Sequence, residues 1–271
     1  MSKDQLPFYA QGLDAFHQAA DRELAGELAK LPLEKASQVL DLGAGDGYFS
    51  RLLVTAFPKL KVIAGDSSQS YRDQCDQRDR EAGLEGRIEV KSIDATAIDM
   101  PNGSLDAVFC AYSFQSILEH AAVLEECRRV LRPGGKLLLV ETDGIHNWLL
   151  PLPTGLELRI RQAEFEASGR SGQLEGWTFS RRCGRLLRKH RFQLLEAHSF
   201  TVDRHGPFDE LTRKWLEYEF DMILSRIEPV ASEELMSDAR RYLTAQGDLA
   251  IVTQDDTFAS SIHSMFVAAP A

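Results

Sequence analysis

The chain lacks several features that would assign it to a class at once. Its 271 residues include four cysteines, none of them in a C-x-x-C pair, so we expect neither a zinc site nor a disulfide framework. No apolar run approaches the ~18 residues of a membrane span, and residues 1–10 do not read as a signal sequence. We therefore expect reduced cysteines, no bound metal and a cytoplasmic protein.

An excess of positive charge is also missing. The sequence has 31 Lys and Arg against 41 Asp and Glu, which gives a formal net charge of −10. A protein that mainly binds nucleic acid is usually basic, and anionic membrane surfaces attract basic segments. The charge balance therefore disfavours both kinds of partner.

The first half of the chain alternates between strand and helix patterns. A helix is predicted at 13–31 from apolar residues at helical spacing, and short apolar runs then predict five strands with helices between them. The strands are predicted at 38–42, 60–64, 87–93, 105–111 and 136–141. This alternation indicates an α/β fold with a mostly parallel sheet wound on both faces. Ligands of such sheets bind beyond the carboxyl ends of the strands.

The rest of the chain is less regular. Strands predicted at 193–203 and 262–268 complete a seven-stranded sheet as a final antiparallel pair, and helical patterns fill the segments 145–178 and 206–247. We expect these two segments to form helical insertions that cap the site. Their large side chains either pack the helices onto the sheet or line a pocket for an apolar substrate. They are Trp177, Trp215, Tyr218, Phe220 and Met222.

The strongest motif is a glycine-rich run, VLDLGAGDG, at 39–47. It follows a predicted strand and precedes a helix, where glycines allow a sharp turn and the close approach of a ligand. The spacing differs from the dinucleotide-binding fingerprint, because Tyr48 stands where that motif needs a small residue. Asp66, at the end of the second strand, is suited to accept hydrogen bonds from the hydroxyls of a ribose.

Four runs together resemble a known family. DLGAGDG at 41–47 resembles the first motif of class I S-adenosylmethionine-dependent methyltransferases. The residues Ile93-Asp94-Ala95, the run MPNGSLDAV at 100–108 and the run RVLRPGGKL at 129–137 resemble its later motifs, in the family's order. The pattern is most similar to the ubiquinone/menaquinone-type and other small-molecule methyltransferases.

This resemblance implies a domain organisation. It implies a Rossmann-like doubly wound sheet in a single methyltransferase domain over 1–271, with a cofactor-binding core at 36–142. S-adenosylmethionine is then the expected cofactor, and a small molecule is the expected methyl acceptor.

The resemblance also implies which residues hold the methionine part of the cofactor. The backbone of Gly43 and Gly45, with Ala44 between them, is expected to lie against it. Asp41 is expected to orient this loop. Ala111-Tyr112, just past the fourth strand, is expected to face the same moiety.

The nucleoside part of the cofactor is assigned in the same way. Asp66 is expected to hold the ribose, with Ser67 beside it. Asp94 is expected to meet the adenine amino group, with Ala95 packing on the ring. Tyr9 is expected to provide an aromatic ring over the cofactor.

Catalytic residues are harder to assign from the sequence. Methyl transfer depends mainly on positioning, and a base is needed only where the acceptor must lose a proton. The candidates are His146, His205, Tyr112 and Asp143, which follow predicted strand ends. Some relatives carry two histidines where this chain has Gln115-Ser116, so a mechanism that uses those histidines does not carry over.

The sequence is therefore compatible with three functions. The first is methyl transfer to an oxygen, nitrogen or carbon atom of a small molecule. The second is a protein that binds S-adenosylmethionine without catalysis. The third is a nicotinamide-dependent oxidoreductase, which Tyr48 disfavours.

Overall fold

A computed structural model describes residues 10–271 of the chain. The predicted cofactor contact of Tyr9 therefore lies outside the described residues. The helices of the described part are α1 Ala10–Leu28, α2 Tyr48–Ala56, α3 Gln69–Glu81, α4 His120–Val130, α5 Thr154–Ser171, α6 Leu174–Trp177, α7 Phe179–Lys189, α8 Glu210–Ile227 and α9 Glu233–Leu243. Its strands are β1 Gln38–Leu42, β2 Lys61–Asp66, β3 Ile88–Ser92, β4 Leu105–Ala111, β5 Leu131–Thr142, β6 Trp148–Leu149, β7 Phe192–His205 and β8 Phe258–Pro270.

One sheet organises the molecule. Strands β1 to β5 pair in parallel in the order β3-β2-β1-β4-β5, and β8 runs antiparallel to β5. Strand β7 pairs antiparallel with β8, which confirms the predicted sheet with its final antiparallel hairpin. The two-residue strand β6 also pairs with β8 and makes an eighth strand, because two residues are too short to give a periodic signal.

Both faces of this sheet are covered, as expected for buried parallel strands. Alternate side chains of β1 point to opposite faces. Val39 belongs to the core formed with helices α1, α2, α5, α8 and α9, whereas Leu40 belongs to the core formed with α4 and α7. The strand order reverses between β1 and β4, so their carboxyl ends border the crevice where such folds bind ligands.

The two segments expected to cap the site contain the helices that the pattern predicted there. Segment 145–178 holds α5 and α6, and segment 206–247 holds α8 and α9. Helix α8 packs against α1, α5 and α9, so residues far apart in sequence meet on one side of the sheet.

Three further features of the structure concern the cysteines, metal-ligand groups and membrane-spanning helices. All four cysteines are free and buried. Among residues 10–271, no group of three or more His, Cys, Asp or Glu side chains is arranged to hold a metal ion. No helix in the same range is long and apolar enough to cross a membrane.

Candidate cofactor and acceptor site

A large cavity opens at the carboxyl ends of the parallel strands. Its volume is about 1160 Å³, which exceeds the ~300–1,000 Å³ usual for a single small-molecule site. The cavity therefore has room for a nucleoside-sized cofactor and an acceptor together. Nine of the predicted cofactor residues lie on its wall: Gly43, Ala44, Gly45, Asp66, Ser67, Asp94, Ala95, Ala111 and Tyr112. We call residues 43–45, 66–67 and 94–95 the glycine-loop half.

The glycine-rich loop is fastened to the end of β2 by backbone and carboxylate bonds. Gly43 and Ala44 both donate their N–H to the Gly65 carbonyl. The Gly45 N–H donates to Asp66 Oδ2 at 2.9 Å, and the Ser68 N–H donates to Oδ1 at 2.8 Å. The Asp66 carboxylate thus holds two loops in place while it faces the cavity.

Two glycines in this loop are required by its geometry. Gly43 has φ +74°, and a Cβ there would lie 2.3 Å from Ser113 Oγ. Gly45 has φ +56° and opens onto the cavity, where the nearest heavy atom to an added Cβ is 3.9 Å away. The bare backbone at Gly45 lets a ligand approach closely, so the loop fits the methionine part of S-adenosylmethionine.

Asp94 is held at the cavity wall by a local turn. Its Oδ1 accepts hydrogen bonds from the Thr96 backbone N–H at 2.8 Å and from the Thr96 hydroxyl at 2.7 Å. Ile93 and Ala95 line the cavity beside it. An apolar surface next to a carboxylate fits a purine ring with an exocyclic amino group.

Asp41 is placed differently from the other predicted cofactor residues. It is buried in the sheet and is not on the cavity wall. Its carboxylate accepts a hydrogen bond from the Ser50 hydroxyl at 2.7 Å, which ties β1 to α2. Burial raises the pKa of Asp41 to about 7. Asp41 is therefore placed to orient the glycine-rich loop, and its carboxylate does not line the cavity.

The structure does not bring the histidines predicted as bases into the cavity. His146 is exposed, and its Nδ1 lies 2.6 Å from Arg181 Nη2, in a cluster where Arg181 also pairs with Asp143. His205 ends β7 on the surface, and its ring contacts Phe258. His146 follows the end of β5 and His205 is the last residue of β7, so both lie at the expected edge of the sheet, but their side chains lie outside the cavity. Asp143 is likewise not on the wall.

Tyr112, the third predicted catalytic residue, does face the cavity. Its φ of +55° turns the chain just after β4. The phenol oxygen lies 2.9 Å from His263 Nδ1. Burial raises the pKa of Tyr112 well above its usual value, so the phenol keeps its proton at neutral pH and is a poor base.

Two further histidines, His263 and His17, line the cavity and were not predicted from the sequence. His263 is buried on β8, bonded to Tyr112 and, through Nε2, to Ser261 Oγ at 2.7 Å. Burial lowers its pKa to about 3. His17 on α1 stacks on Tyr48 at 4.0 Å, and burial lowers its pKa to about 4. A lone histidine within a helix or strand gives no local signal, since only the fold brings it to the cavity.

The other side of the cavity has an aromatic wall. The ring of Trp215 on α8 lies 5.4 Å, centroid to centroid, from that of Phe16 on α1 and 5.1 Å from that of Trp148. We call the wall formed by Phe16, Trp148, Trp177, Trp215, Tyr218 and Glu219 the aromatic half. Four of the five large side chains singled out in the sequence, namely Trp177, Trp215, Tyr218 and Met222, line the cavity, and Phe220 packs in the core.

The sequence is similar to those of known methyltransferases. A family described as "Methyltransferase domain" matches residues 39–135. The chain is 32% identical to a demethylmenaquinone methyltransferase of Thermus thermophilus over 123 residues, covering 45% of this chain and 55% of that protein. It is 27% identical to the 27-O-demethylrifamycin SV methyltransferase of Amycolatopsis mediterranei over 209 residues, covering 66% of this chain and 75% of that protein.

Solved structures share the fold over almost the whole chain. The match with a geranyl diphosphate methyltransferase in complex with S-adenosylmethionine covers 99% of this chain and 93% of that protein, with a TM-score of 0.53 and 14% identity. The match with the [4+2]-cyclase SpnF covers 96% of this chain and 84% of that protein, with a TM-score of 0.55 and 18% identity. At these identities the likeness shows the fold alone.

Residues 39–135 thus match a methyltransferase domain, and the resemblance to class I S-adenosylmethionine-dependent methyltransferases stated from the motifs is confirmed. The chain spans about half the length of the first curated relative that it matches. The relatives differ in the molecules named as their substrates.

Proposed function

We propose that this protein transfers a methyl group from S-adenosylmethionine to a small molecule. The observation that carries the proposal is the convergence of nine motif residues on one cavity wall, with an aromatic half beside them that the motifs do not account for. A cavity with one wall for the cofactor and another for an acceptor is what methyl transfer requires.

In this proposal the glycine-loop half holds the cofactor. Asp66 accepts the ribose hydroxyls, with Ser67 beside it, and Asp94 accepts the adenine amino group over Ala95. The backbone at 43–45 and residues 111–112 contact the methionine part. Asp41 supports the loop from below through its bond to Ser50.

The bound cofactor supplies an electrophilic methyl group, so the chain's own contribution is positional. The aromatic half excludes water and orients the acceptor, and the bond from Tyr112 to His263 fixes the wall between the two ligands. The segments 145–178 and 206–247 cap the cavity within a single domain in this account.

The acceptor is proposed to be a small molecule, because the wall of the aromatic half is built from buried and half-buried side chains of α1, β6, α6 and α8 rather than from an open basic surface. The formal net charge of −10 argues against nucleic acid as a partner. The four free cysteines are compatible with a reducing compartment, and we propose that the protein is cytoplasmic.

The experiment that tests the proposal measures release of S-adenosylhomocysteine from S-adenosylmethionine. The purified protein is assayed with phenols, quinols, carboxylates, amines and active-methylene compounds, and a calorimetric titration with S-adenosylmethionine accompanies it. Binding together with turnover of one class supports the proposal. Absence of cofactor binding contradicts it, and binding without turnover favours the non-catalytic alternative.

A further inference from the structure

The aromatic half contains one carboxyl group whose function the cofactor does not explain. Glu219 lies on the cavity wall one helical turn after Trp215. Its carboxyl group interacts with the side chains of Trp215 and Trp148, whose rings contact each other at 5.1 Å. The wall continues from Trp215 through Phe16 to Tyr112, whose ring lies 5.8 Å from that of Phe16. A row of rings therefore runs from the strand end beside the cofactor site to a single acidic side chain.

The positive charge that acts on Glu219 is that of Arg226, which already has other partners. Arg226 donates from Nη1 to Glu164 Oε1 at 2.8 Å and to the Gly144 carbonyl at 2.9 Å, and its guanidinium lies 4.1 Å over the Trp177 ring. The charge of Arg226 and the N–H groups of Trp215 and Trp148 favour ionisation of Glu219. Burial opposes it more strongly and raises the pKa of Glu219. The Trp215 N–H makes no hydrogen bond of normal geometry within the described chain, so its influence is electrostatic.

A ligand that brings its own positive charge would complete this arrangement. The faces of tryptophan, tyrosine and phenylalanine rings attract cations, and a buried carboxylate is stabilised by a charge-assisted hydrogen bond from an ammonium group. A carboxylate acceptor would instead be repelled by Glu219. A neutral alcohol would leave the charge of an ionised Glu219 without compensation.

We propose that Glu219 binds a methyl acceptor that carries a protonated amine and removes its proton before methyl transfer. This inference rests on the proposed methyltransferase function and names the acceptor class for the same cavity.

The proposed step balances in atoms and charge. The ammonium group gives one proton to the Glu219 carboxylate, which becomes a neutral carboxylic acid, and the nitrogen regains its lone pair. That lone pair forms the N–C bond to the methyl carbon while the S–C bond breaks, and the electron pair of that bond stays on sulfur. The product nitrogen carries the positive charge, and the proton on Glu219 later passes to water.

Binding of matched probes tests the recognition part directly. Four ammonium compounds are compared with the alcohols of the same shape: benzylamine, phenethylamine, cyclohexylamine and isobutylamine against benzyl alcohol, 2-phenylethanol, cyclohexanol and isobutanol. Calorimetry at pH 7.5 with saturating S-adenosylhomocysteine gives the dissociation constants. We expect at least one amine to bind about 10-fold more tightly than its alcohol, as a charge-assisted bond implies.

The Glu219→Gln variant tests which residue is responsible. We expect it to lose the preference for the amine and to lower kcat/KM for that amine by about 100-fold, the scale of a lost proton acceptor. Its affinity for S-adenosylmethionine should not change, because Glu219 lies in the aromatic half. Glu217→Gln, on the same helix but off the cavity wall, is the control and should retain the preference.

Each outcome bears on a definite claim. The inference is wrong if no amine binds more tightly than its alcohol to the unmodified protein, a result that needs no folded variant. It is also wrong if the preference survives in Glu219→Gln. Failure to bind S-adenosylmethionine would instead remove the proposed function itself, whereas cofactor binding with turnover of phenols or carboxylates alone would remove only the assignment of the acceptor.

Discussion

The two halves of the cavity are built in different ways. The glycine-loop half consists of short segments at the carboxyl ends of β1, β2 and β3. Each segment is held by hydrogen bonds within itself or to a neighbouring strand end, such as the bond from the Gly45 N–H to Asp66. The aromatic half is assembled from α1, β6, α6 and α8, whose residues are separated by up to about 200 positions in the sequence.

This difference explains why the methyltransferase-domain family matches residues 39–135, which include the glycine-loop half and leave out α1 and α8. A local loop that must hold one cofactor is formed by a few adjacent residues, so its sequence motif can be compared between proteins. A wall assembled from distant helices can change its side chains without disturbing that loop. We therefore expect changes in the aromatic half to alter stability or acceptor choice and changes in the glycine-loop half to alter cofactor affinity.

The largest effect is expected in the helices behind the aromatic half. Glu164 is fully buried and accepts from Arg161 Nη1 and Arg226 Nη1, both at 2.8 Å. Glu164→Ala leaves two guanidinium groups without their shared partner and should lower the free energy of unfolding by about 3–5 kcal/mol.

Urea denaturation measures this loss. Glu166→Ala, which removes the exposed partner of Arg170 on the same helix, should cost at most about 1 kcal/mol. Equal losses in the two variants would show that the buried network has no special importance.

The next effect concerns Asp41 beneath the glycine loop. Its pKa is about 7 in the folded protein and about 3.9 in an unfolded chain. The folded state therefore holds this proton more tightly, and the stability it provides is lost as the pH rises from about 4 to about 7.

Asp41→Asn removes that dependence. Relative to the unmodified protein, its free energy of unfolding should rise by about 3 kcal/mol between pH 5 and pH 8. Glu141, also buried with its pKa raised to about 8, titrates in both proteins, so the difference isolates Asp41. Urea denaturation at both values measures it, with exposed Asp76→Asn as the control. A difference that is independent of pH would contradict the assignment.

A third effect concerns the conformation of the glycine loop. Gly43→Ala introduces a Cβ at φ +74° and within 2.3 Å of Ser113 Oγ, and should cost about 2 kcal/mol. Gly26→Ala is a matched control on the exposed face of α1, where an added Cβ meets nothing within 4 Å. It should stabilise the protein by about 0.5–1 kcal/mol. Thermal melting distinguishes the two, and effects of the same sign would refute the explanation.

The fourth prediction separates the halves by ligand. Asp66→Ala removes the proposed ribose acceptor and should raise the dissociation constant for S-adenosylmethionine by about 10-fold or more. Asp73→Ala, on the exposed side of α3, should leave it unchanged. Calorimetry gives both constants. Unchanged affinity in a folded Asp66 variant would remove the ribose assignment.

The smallest effect is expected at Tyr112. Tyr112→Phe loses the 2.9 Å bond to His263 and should cost about 1 kcal/mol of stability. Because the phenol keeps its proton, we expect kcat to change little. Parallel melting and turnover measurements decide the matter: a large loss of kcat at unchanged stability would assign Tyr112 to the chemistry after all.

Features that depend on adjacent residues could be predicted from the sequence, whereas features that depend on distant segments could not. Strands β1 and β4 were predicted to the residue, because each is a buried apolar run ended by glycine or polar residues. Strand β5 begins at Leu131, earlier than the predicted 136, because Leu131 pairs with Leu105 ahead of an irregularity in the ladder. Periodicity within one segment does not reveal pairing of that kind.

The residues of the site also differ in how far the sequence predicts them. Asp66 and Asp94 follow strand ends and were predicted from motifs, and both lie on the cavity wall. His146 follows a strand end and His205 is the last residue of a strand, yet both side chains are exposed to solvent. Position near a strand end does not determine the direction of a side chain. Glu219 and His263 carry no motif, since only the packing of α8 and β8 brings them to the cavity.

The most direct test is a crystal structure of the protein with S-adenosylhomocysteine. We expect the ribose hydroxyls within hydrogen-bonding distance of Asp66, the adenine beside Asp94 and Ala95, and the sulfur facing the aromatic half. A nucleoside bound elsewhere in the cavity, or a sulfur that faces away from the aromatic half, would contradict the proposed division of the cavity.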